Sequence, residues 1–448
     1  MPDRGRGGLG GPIWRFVTVP PGRAPHSTRR SNSPISISVS PVRRPLMNRP
    51  PFSALLWGSL LVDALICAFL IWAPWRRREA VGIRVIHLFD VLAVVTAILV
   101  VNFIKLGLVM TGALSGFGLM HMAYLDAVIL APLVAAAVLV LSSRRTESTL
   151  KLRVTRPALC ACLLALAGAP LGAYASYVEP ERLVVERAEI PVPTGCGGAR
   201  PIRIGVLADF QTDRIGAHER RAIDELLAAD PDIILMPGDL FHGPRDAFDA
   251  QLPALREQMA RLSAPGGVYF VPGDVERWWP DYAGRAFEGT RVRVLVNEIA
   301  QTTLGDRTVT IAGTELRYFS DEARRTIREL ERLPERGDYR ILLTHRPDVA
   351  LDLDAGSRIN LVVAGHTHGG QVCIPFFGPP ITFSNVPRDV GAGGLHELGG
   401  NLIYVSRGVG HERGEAPRIR FLCPPEISVL TLPSGRGALA HSDRDSGR

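Results

Sequence analysis

Ile359-Asn360-Leu361-Val362-Val363-Ala364 runs straight into Gly365-His366-Thr367-His368-Gly369-Gly370-Gln371. A short aliphatic, β-branched run that stops at a glycine-rich loop reads as a buried strand with the loop at its C-terminal end. Two histidines two residues apart at that point aim two imidazoles at one place, and neutral imidazole is the commonest metal ligand. Taken alone, the pair reads equally as a polar turn. Four upstream segments share its layout. Arg203-Ile204-Gly205-Val206-Leu207-Ala208 leads to Asp209-Phe210-Gln211, and Ile233-Ile234-Leu235-Met236 to Pro237-Gly238-Asp239. Val268-Tyr269-Phe270-Val271 leads to Pro272-Gly273-Asp274, and Arg340-Ile341-Leu342-Leu343-Thr344 to His345. One Gly-Asp after a strand is an ordinary turn. Five strand ends that each offer Asp, His or Gln predict an α/β domain with its site in the crevice at the strand C-termini.

The rest of the chain is divided by composition. Of the 448 residues 46% are hydrophobic and 21% charged, and the apolar excess lies before about residue 178. Residues 1–46, rich in Arg, Pro, Gly and Ser, read as disordered, with Met47 an alternative start. Four stretches, 52–73, 85–110, 119–141 and 158–178, are long and apolar enough for transmembrane helices, giving a membrane region over 47–178. A polar linker over 179–201, the α/β domain over 202–432 and a disordered tail over 433–448 complete the organisation. Helical stripes are expected at 218–229 and 321–333, and strands at 292–296, 308–312, 402–406 and 426–430.

Asp90, Asn102, Lys105 and Asp126 fall inside the apolar stretches. They mark either an intramembrane functional site or helix-to-helix hydrogen bonds, with Lys105 snorkelling as a third reading. The connection after the first stretch holds Arg76, Arg77, Arg78 and Arg84, and the third holds Arg144, Arg145, Lys151, Arg153 and Arg156. The second connection, 111–118, is uncharged, so the positive-inside rule puts the C-terminal domain outside the cytoplasm. The arginines before Met47 argue the other way.

The net charge of +7 is explained by these membrane-flanking arginines, and no basic motif interleaved with aromatics marks a nucleic-acid module. No partner protein is evident. The six cysteines form no C-x-x-C pair, which disfavours a zinc ribbon. A disulfide among Cys196, Cys373 and Cys423 stays open.

In order and spacing, these motifs resemble the calcineurin-like metallophosphoesterases, and the extended Gly365-His366-Thr367-His368-Gly369-Gly370-Gln371 loop is similar to their membrane-anchored bacterial branch. The resemblance covers about 202–432. It implies a β-sandwich flanked by helices, here preceded by the transmembrane region, and a dinuclear metal centre. One ion would take Asp209, Gln211, Asp239 and His368, and the other Asp239, Asp274, His345 and His366, with Asp239 as the bridge. Catalysis then rests chiefly on Asp239, His345 and His366. Mixed oxygen and imidazole donors suit Mn, Fe or Zn, and Mn is favoured. Two such ions would polarise phosphoryl oxygens and activate a water.

Three positions depart from the family pattern. Gln211 stands for a histidine, Asp274 for an asparagine, and Val275 for the histidine that assists the leaving group. His218 and His242 are candidate substitutes for that acid. Arg346 and Arg407 are candidate phosphate contacts, and Trp278-Trp279 line the mouth or the core. The expected protein is a multi-pass membrane phosphoesterase of a bacterial inner membrane. It would act on phosphate mono- or diesters, lipid-linked esters among them, with the bilayer as its partner. The alternative is a weakened metal-binding scaffold that kept the fold.

Overall fold

The computed structural model describes residues 52–76, 83–112, 114–143, 151–193, 196–334 and 338–434. The segment 1–46, the start at Met47 and the tail after 434 lie outside them. The N-terminal region contains helices α1 (Phe52–Arg76), α2 (Leu88–Met110), α3 (Gly116–Leu125), α4 (Ala131–Ser143) and α5 (Arg156–Ala173). A π-turn at Asp126–Leu130 joins α3 to α4. Four helical stretches are therefore long and apolar enough to cross a bilayer: Phe52–Leu70, Leu88–Met110, Gly116–Ser143 and Arg156–Glu181. The second begins later than expected because Ile83–Ile86 is a strand, β1, paired in parallel with β2 (Lys151–Val154). This ribbon ties the arginine-bearing connections together at the end where α5 starts, and the opposite end of α5 leads into the α/β domain.

The polar residues within these helices bond to one another. Lys105 Nζ lies 2.5 Å from Asp63 Oδ2 and 3.9 Å from Asp126 Oδ2, and Asn102 Nδ2 donates to Asp126 Oδ2 at 2.8 Å. Lys105 is buried rather than snorkelling. Asp90 instead caps the start of α2, accepting from His87 N at 2.9 Å.

The residues read as a linker also hold β3 (Val184–Glu189), an edge strand recruited by the far end of the chain. Then follow β4 (Ile202–Val206), α6 (Ala217–Ala228), β5 (Ile233–Met236), α7 (Arg245–Arg261), β6 (Val268–Phe270), α8 (Asp274–Trp278), α9 (Pro280–Phe287) and β7 (Val292–Val294). The second half holds β8 (Glu298–Leu304), β9 (Arg307–Gly313), α10 (Asp321–Arg332), β10 (Tyr339–Leu343), β11 (Leu361–Ala364), α11 (Arg388–Gly391), β12 (Gly394–Leu398), β13 (Asn401–Val405) and β14 (Glu426–Leu432). Two six-stranded sheets result, ordered β3-β14-β4-β5-β6-β7 and β12-β13-β11-β10-β9-β8.

Period-two alternation explains the layers. Ile204, Val206, Ile233 and Leu235 face Ile341, Leu343, Leu361 and Val363 between the sheets. The alternate residues Ile234 and Met236 pack under helices with Ile223, Leu226, Phe248 and Leu255. On the other outer face, Leu342, Val362 and Ile403 meet Ile327 and Leu330 of α10. Strands buried on both faces read as continuous apolar runs, which is why they were visible in the sequence. Because β4, β5 and β6 are mutually parallel, as are β10, β11 and β13, their C-terminal ends gather in one place.

Candidate metal centre

Each strand end delivers the residue expected of it. Asp209 and Gln211 follow β4, Asp239 follows β5, Asp274 opens α8 after β6, His345 follows β10, and His366 and His368 follow β11. Donor atoms of Asp274, His345 and His366 lie within 4.8 Å of one another, and so do those of Asp209, Asp239 and His345. His345 thus stands between both groups. Its Nδ1 is 2.7 Å from the carbonyl oxygen of Pro237, and its Nε2 faces Asp274 Oδ2 at 3.4 Å and Asp239 Oδ2 at 3.7 Å. His366 Nδ1 is 2.9 Å from Asp274 Oδ2, and its backbone N–H donates to both carboxylate oxygens of Asp209 at 3.0 and 3.1 Å.

The backbone is bent to make this convergence. Asp209, Gln211, Asp239, His366 and His368 all have φ between 31° and 72°, a left-handed conformation that side chains with a Cβ avoid. Strain of this kind costs on the order of 1–3 kcal/mol per residue and survives only where neighbours impose it. Here the neighbours are backbone bonds between adjacent loops: Asp209 N to Gly238 O, Gln211 N to Asp239 O at 2.7 Å, and Gly410 N to Asp209 O at 2.8 Å. Gly273 makes room, since a Cβ there would sit 2.2 Å from Asp239 Oδ1. Glu276, which the sequence did not single out, accepts the backbone N–H groups of Asp239, Leu240 and Gly273. It locks two ligand loops together.

Burial and charge set the protonation states. Burial alone would lower His345, but the Asp239 carboxylate and its other acidic neighbours outweigh this and push it up to about 10. Burial would raise Asp274, yet the imidazoles of His345 and His366 hold its carboxyl far below the usual range. Arg346 Nη2 adds a contact to Asp274 Oδ1 at 2.7 Å. Asp209 and Asp239 are raised by burial against the pull of His345. His368 is held well below the ordinary histidine value by burial and by the buried Arg420 guanidinium.

The donor set fits divalent cations. Gln211 Oε1, His345 Nε2 and His368 Nδ1 are buried and have no hydrogen-bond partner, a costly arrangement for polar atoms without a ligand. No thiol enters the set: Cys373 and Cys423 lie behind the loop, with Cys423 Sγ 3.4 Å from His368 O, and all six cysteines are free.

The remaining candidates separate clearly. Val275 is buried, and its N–H donates to Asp239 Oδ1 at 2.8 Å. His242 lies beside Gln211, with Nδ1 3.1 Å from Gln211 Nε2, but burial and then Arg413 and Arg418 lower it to about 4. It is therefore a neutral imidazole near neutral pH and a poor general acid. His218 is turned to the carbonyl of Val409 and the carboxylate of Glu181. Arg407 pairs with Glu186 and Glu426, so it is a structural cation rather than a phosphate contact. Trp279 stacks on Tyr282, whereas Trp278 is exposed. Glu412, which the sequence did not single out, lies 3.5 Å from Gln211 Nε2 and 3.7 Å from His242 Nδ1.

Residues 202–370 match the family model of the calcineurin-like phosphoesterases. YkuE, an uncharacterized metallophosphoesterase of Bacillus subtilis, is 31% identical over 291 residues, which cover 58% of this chain and 89% of YkuE. The phosphodiesterase YaeI of Escherichia coli is 29% identical over 240 residues, covering 52% of this chain and 83% of YaeI. An uncharacterized metallophosphoesterase of Aquifex aeolicus is 28% identical over 287 residues, 60% of this chain and 97% of that protein.

Proposed function

The chain belongs to the calcineurin-like phosphoesterases and is a phosphoric ester hydrolase, and from that premise we propose that it works as a membrane-anchored enzyme with two divalent ions. One ion would be held by Asp209, Gln211, Asp239 and His368, and the other by Asp239, Asp274, His345 and His366. The observation that carries this reading is the convergence of five strand ends on buried donor atoms that lack partners. When bound, such a pair supplies charge neutralisation at the phosphoryl oxygens and an activated water. The chain's own residues do the rest. His345 gives Nδ1–H to Pro237 O, which leaves Nε2 as its ligand atom. Arg346, at the rim and against Asp274, is placed to meet a phosphoryl oxygen. Oxygen-rich donors favour Mn among the candidate ions.

Mono- and diesters are both accommodated by this chemistry, and lipid-linked esters are proposed among them because the loop beside Gln211, which carries Glu412, touches the start of α3. Ser115, which caps α3, and His121 within α3 both contact Glu415, in the loop that carries Glu412. The paired strands β1 and β2, which include Arg84 and Arg153, lie at the end where α5 starts, opposite the end that leads into the α/β domain, which supports a domain outside the cytoplasm. Elemental analysis of the purified full chain, with turnover on a panel of esters, tests the reading. Two ions per chain and metal-dependent hydrolysis are expected. At most one ion with no turnover would favour a metal-binding scaffold. A C-terminal alkaline phosphatase fusion should be active and a fluorescent-protein fusion dim, and the reverse would overturn the orientation.

A further inference from the structure

Between β11 and α11 the chain forms a turn whose tip, Ile374 to Phe377, is exposed among the described residues. Ile374 accepts the backbone N–H groups of Phe377 and Gly378, and Ile374 N donates back to Gly378 O at 3.0 Å. This tight closure thrusts Phe376 outward, fully exposed and at a φ of 66°. A left-handed phenylalanine at the tip of a turn is a genuine outlier, retained where function holds it there. Ile374, Phe377, Ile381 and Phe383 are exposed beside it. Five large apolar side chains within ten residues would be an aggregation hazard in water.

The surface has a neighbour that suits it. The Phe383 ring lies 5.1 Å from that of Phe117, in the first turn of α3, at the domain-side end of an apolar stretch. The turn therefore continues the apolar surface of the helices. Arg388 stacks over the Phe377 ring at 4.1 Å. A cation laid on an aromatic ring matches the headgroup level of a bilayer, where the ring is buried and the guanidinium meets phosphate. The turn is also tied to the metal centre, because His366 Nε2 is 3.2 Å from the carbonyl oxygen of Phe383. Donation by Nε2–H leaves Nδ1, the atom facing Asp274, as the ligand atom.

We infer that the turn over residues 374–383 docks into the lipid surface around the apolar helices and holds the metal centre at headgroup level, so that the enzyme takes phosphoesters carried on lipids. This rests on the reading of the centre as a hydrolase and of the helices as membrane spans. Phe383, whose ring packs on Phe117 and whose carbonyl faces His366, links the docked turn to the metal centre.

The test uses the full chain in nanodiscs of phosphatidylcholine and phosphatidylglycerol. Phe376→Trp adds a reporter to the turn, and Arg328→Trp adds one to an exposed position of α10. Brominated lipid should quench the added emission of the first several-fold more than that of the second, while iodide should quench the second more. Equal iodide quenching, with no effect of brominated lipid, overturns the inference. In a second arm, Phe376→Asp should lower the ratio of turnover on a lipid-tethered diester to that on a water-soluble diester by about tenfold, the effect of withdrawing one well-buried apolar group. An unchanged ratio also overturns it. Wild-type turnover on the soluble diester separates the two readings: its absence sinks the hydrolase assignment, while its presence with a water-exposed turn sinks only the docking.

Discussion

Asp274, His345 and His366 contact one another on one side of Asp239, whereas on the other side Gln211 Oε1 and His368 Nδ1 are buried with no hydrogen-bond partner. In the first group an imidazole pushed up to about 10 faces a carboxylate held far below its usual range, and Arg346 adds a further cation. In the second group the histidine is kept neutral, the carboxylate is pushed up by burial, and two buried donor atoms have no hydrogen bond. Burial and neighbouring charge thus set the protonation of the two half-sites differently. The two halves should take up cations by different routes.

The largest effect should come from the residue that belongs to both. Asp239→Asn removes the shared negative charge, so elemental analysis should find both ions diminished. Turnover should fall about 10²–10³-fold or more, the scale set by removing one electrostatic contact to developing charge. Retention of one full equivalent would show that the halves are independent and would break the comparison.

Next in size is pH. The His345 imidazolium stabilises the metal-free fold fully below its unfolded value of about 6.5, and this contribution is lost as pH rises through about 10. Asp274 acts in the opposite sense, contributing above about 3.9 and losing its effect as pH falls. A cation entering beside Asp274 must displace the His345 proton. Its affinity should therefore rise about tenfold per pH unit between about 7 and 9. The half with His368 should respond less, because that imidazole is already neutral. Metal titrations of Gln211→Ala and His366→Ala, each with one half weakened, measure the two slopes. Since both halves share Asp239, the difference isolates His345, and equal slopes would refute the assignment.

A smaller effect should follow Gln211→His. Replacing an amide oxygen by imidazole should raise zinc affinity of that half by about tenfold and leave manganese nearly unchanged. An equal gain for both ions would mean that Gln211 does not ligate.

The strand ends were legible because the strands are buried on both faces and so read as unbroken apolar runs. The helical stretches were legible for the same reason of continuity. What stayed hidden depends on contacts between distant residues. Asp63 gains meaning only beside Lys105, 42 residues later, and β3 is a strand only because β14 pairs with it. Nothing in Glu276 or Glu412 announces backbone N–H groups or a neighbouring amide. Left-handed backbone is legible where glycine marks it, but here it falls on Asp, Gln and His, imposed by hydrogen bonds between loops. Ile374-Pro375-Phe376-Phe377 drew no reading from the sequence, and only its exposure and its link to His366 give it a role.

The smallest expected effect concerns the departing group rather than the cations. Val275 sits at the start of α8, buried, with its N–H on the bridging carboxylate Asp239. An imidazole in its place would stand beside both halves. His242 cannot serve instead near neutral pH, because burial and two arginines hold it to about 4. A positioned acid contributes about 10²–10⁴-fold when its geometry is right. Val275→His should recover only about two- to tenfold, because the new ring must find room in a site packed around valine. The gain should appear on alkyl esters, whose leaving oxygen needs a proton, and not on nitrophenyl esters, whose leaving group departs as a stable anion. Comparing kcat for the two ester classes in both proteins reads this out without reference to metal loading. An equal gain on both would assign the improvement to the neighbouring half-sites, with Val275 acting on Asp239 through its packing and not standing in for a lost acid.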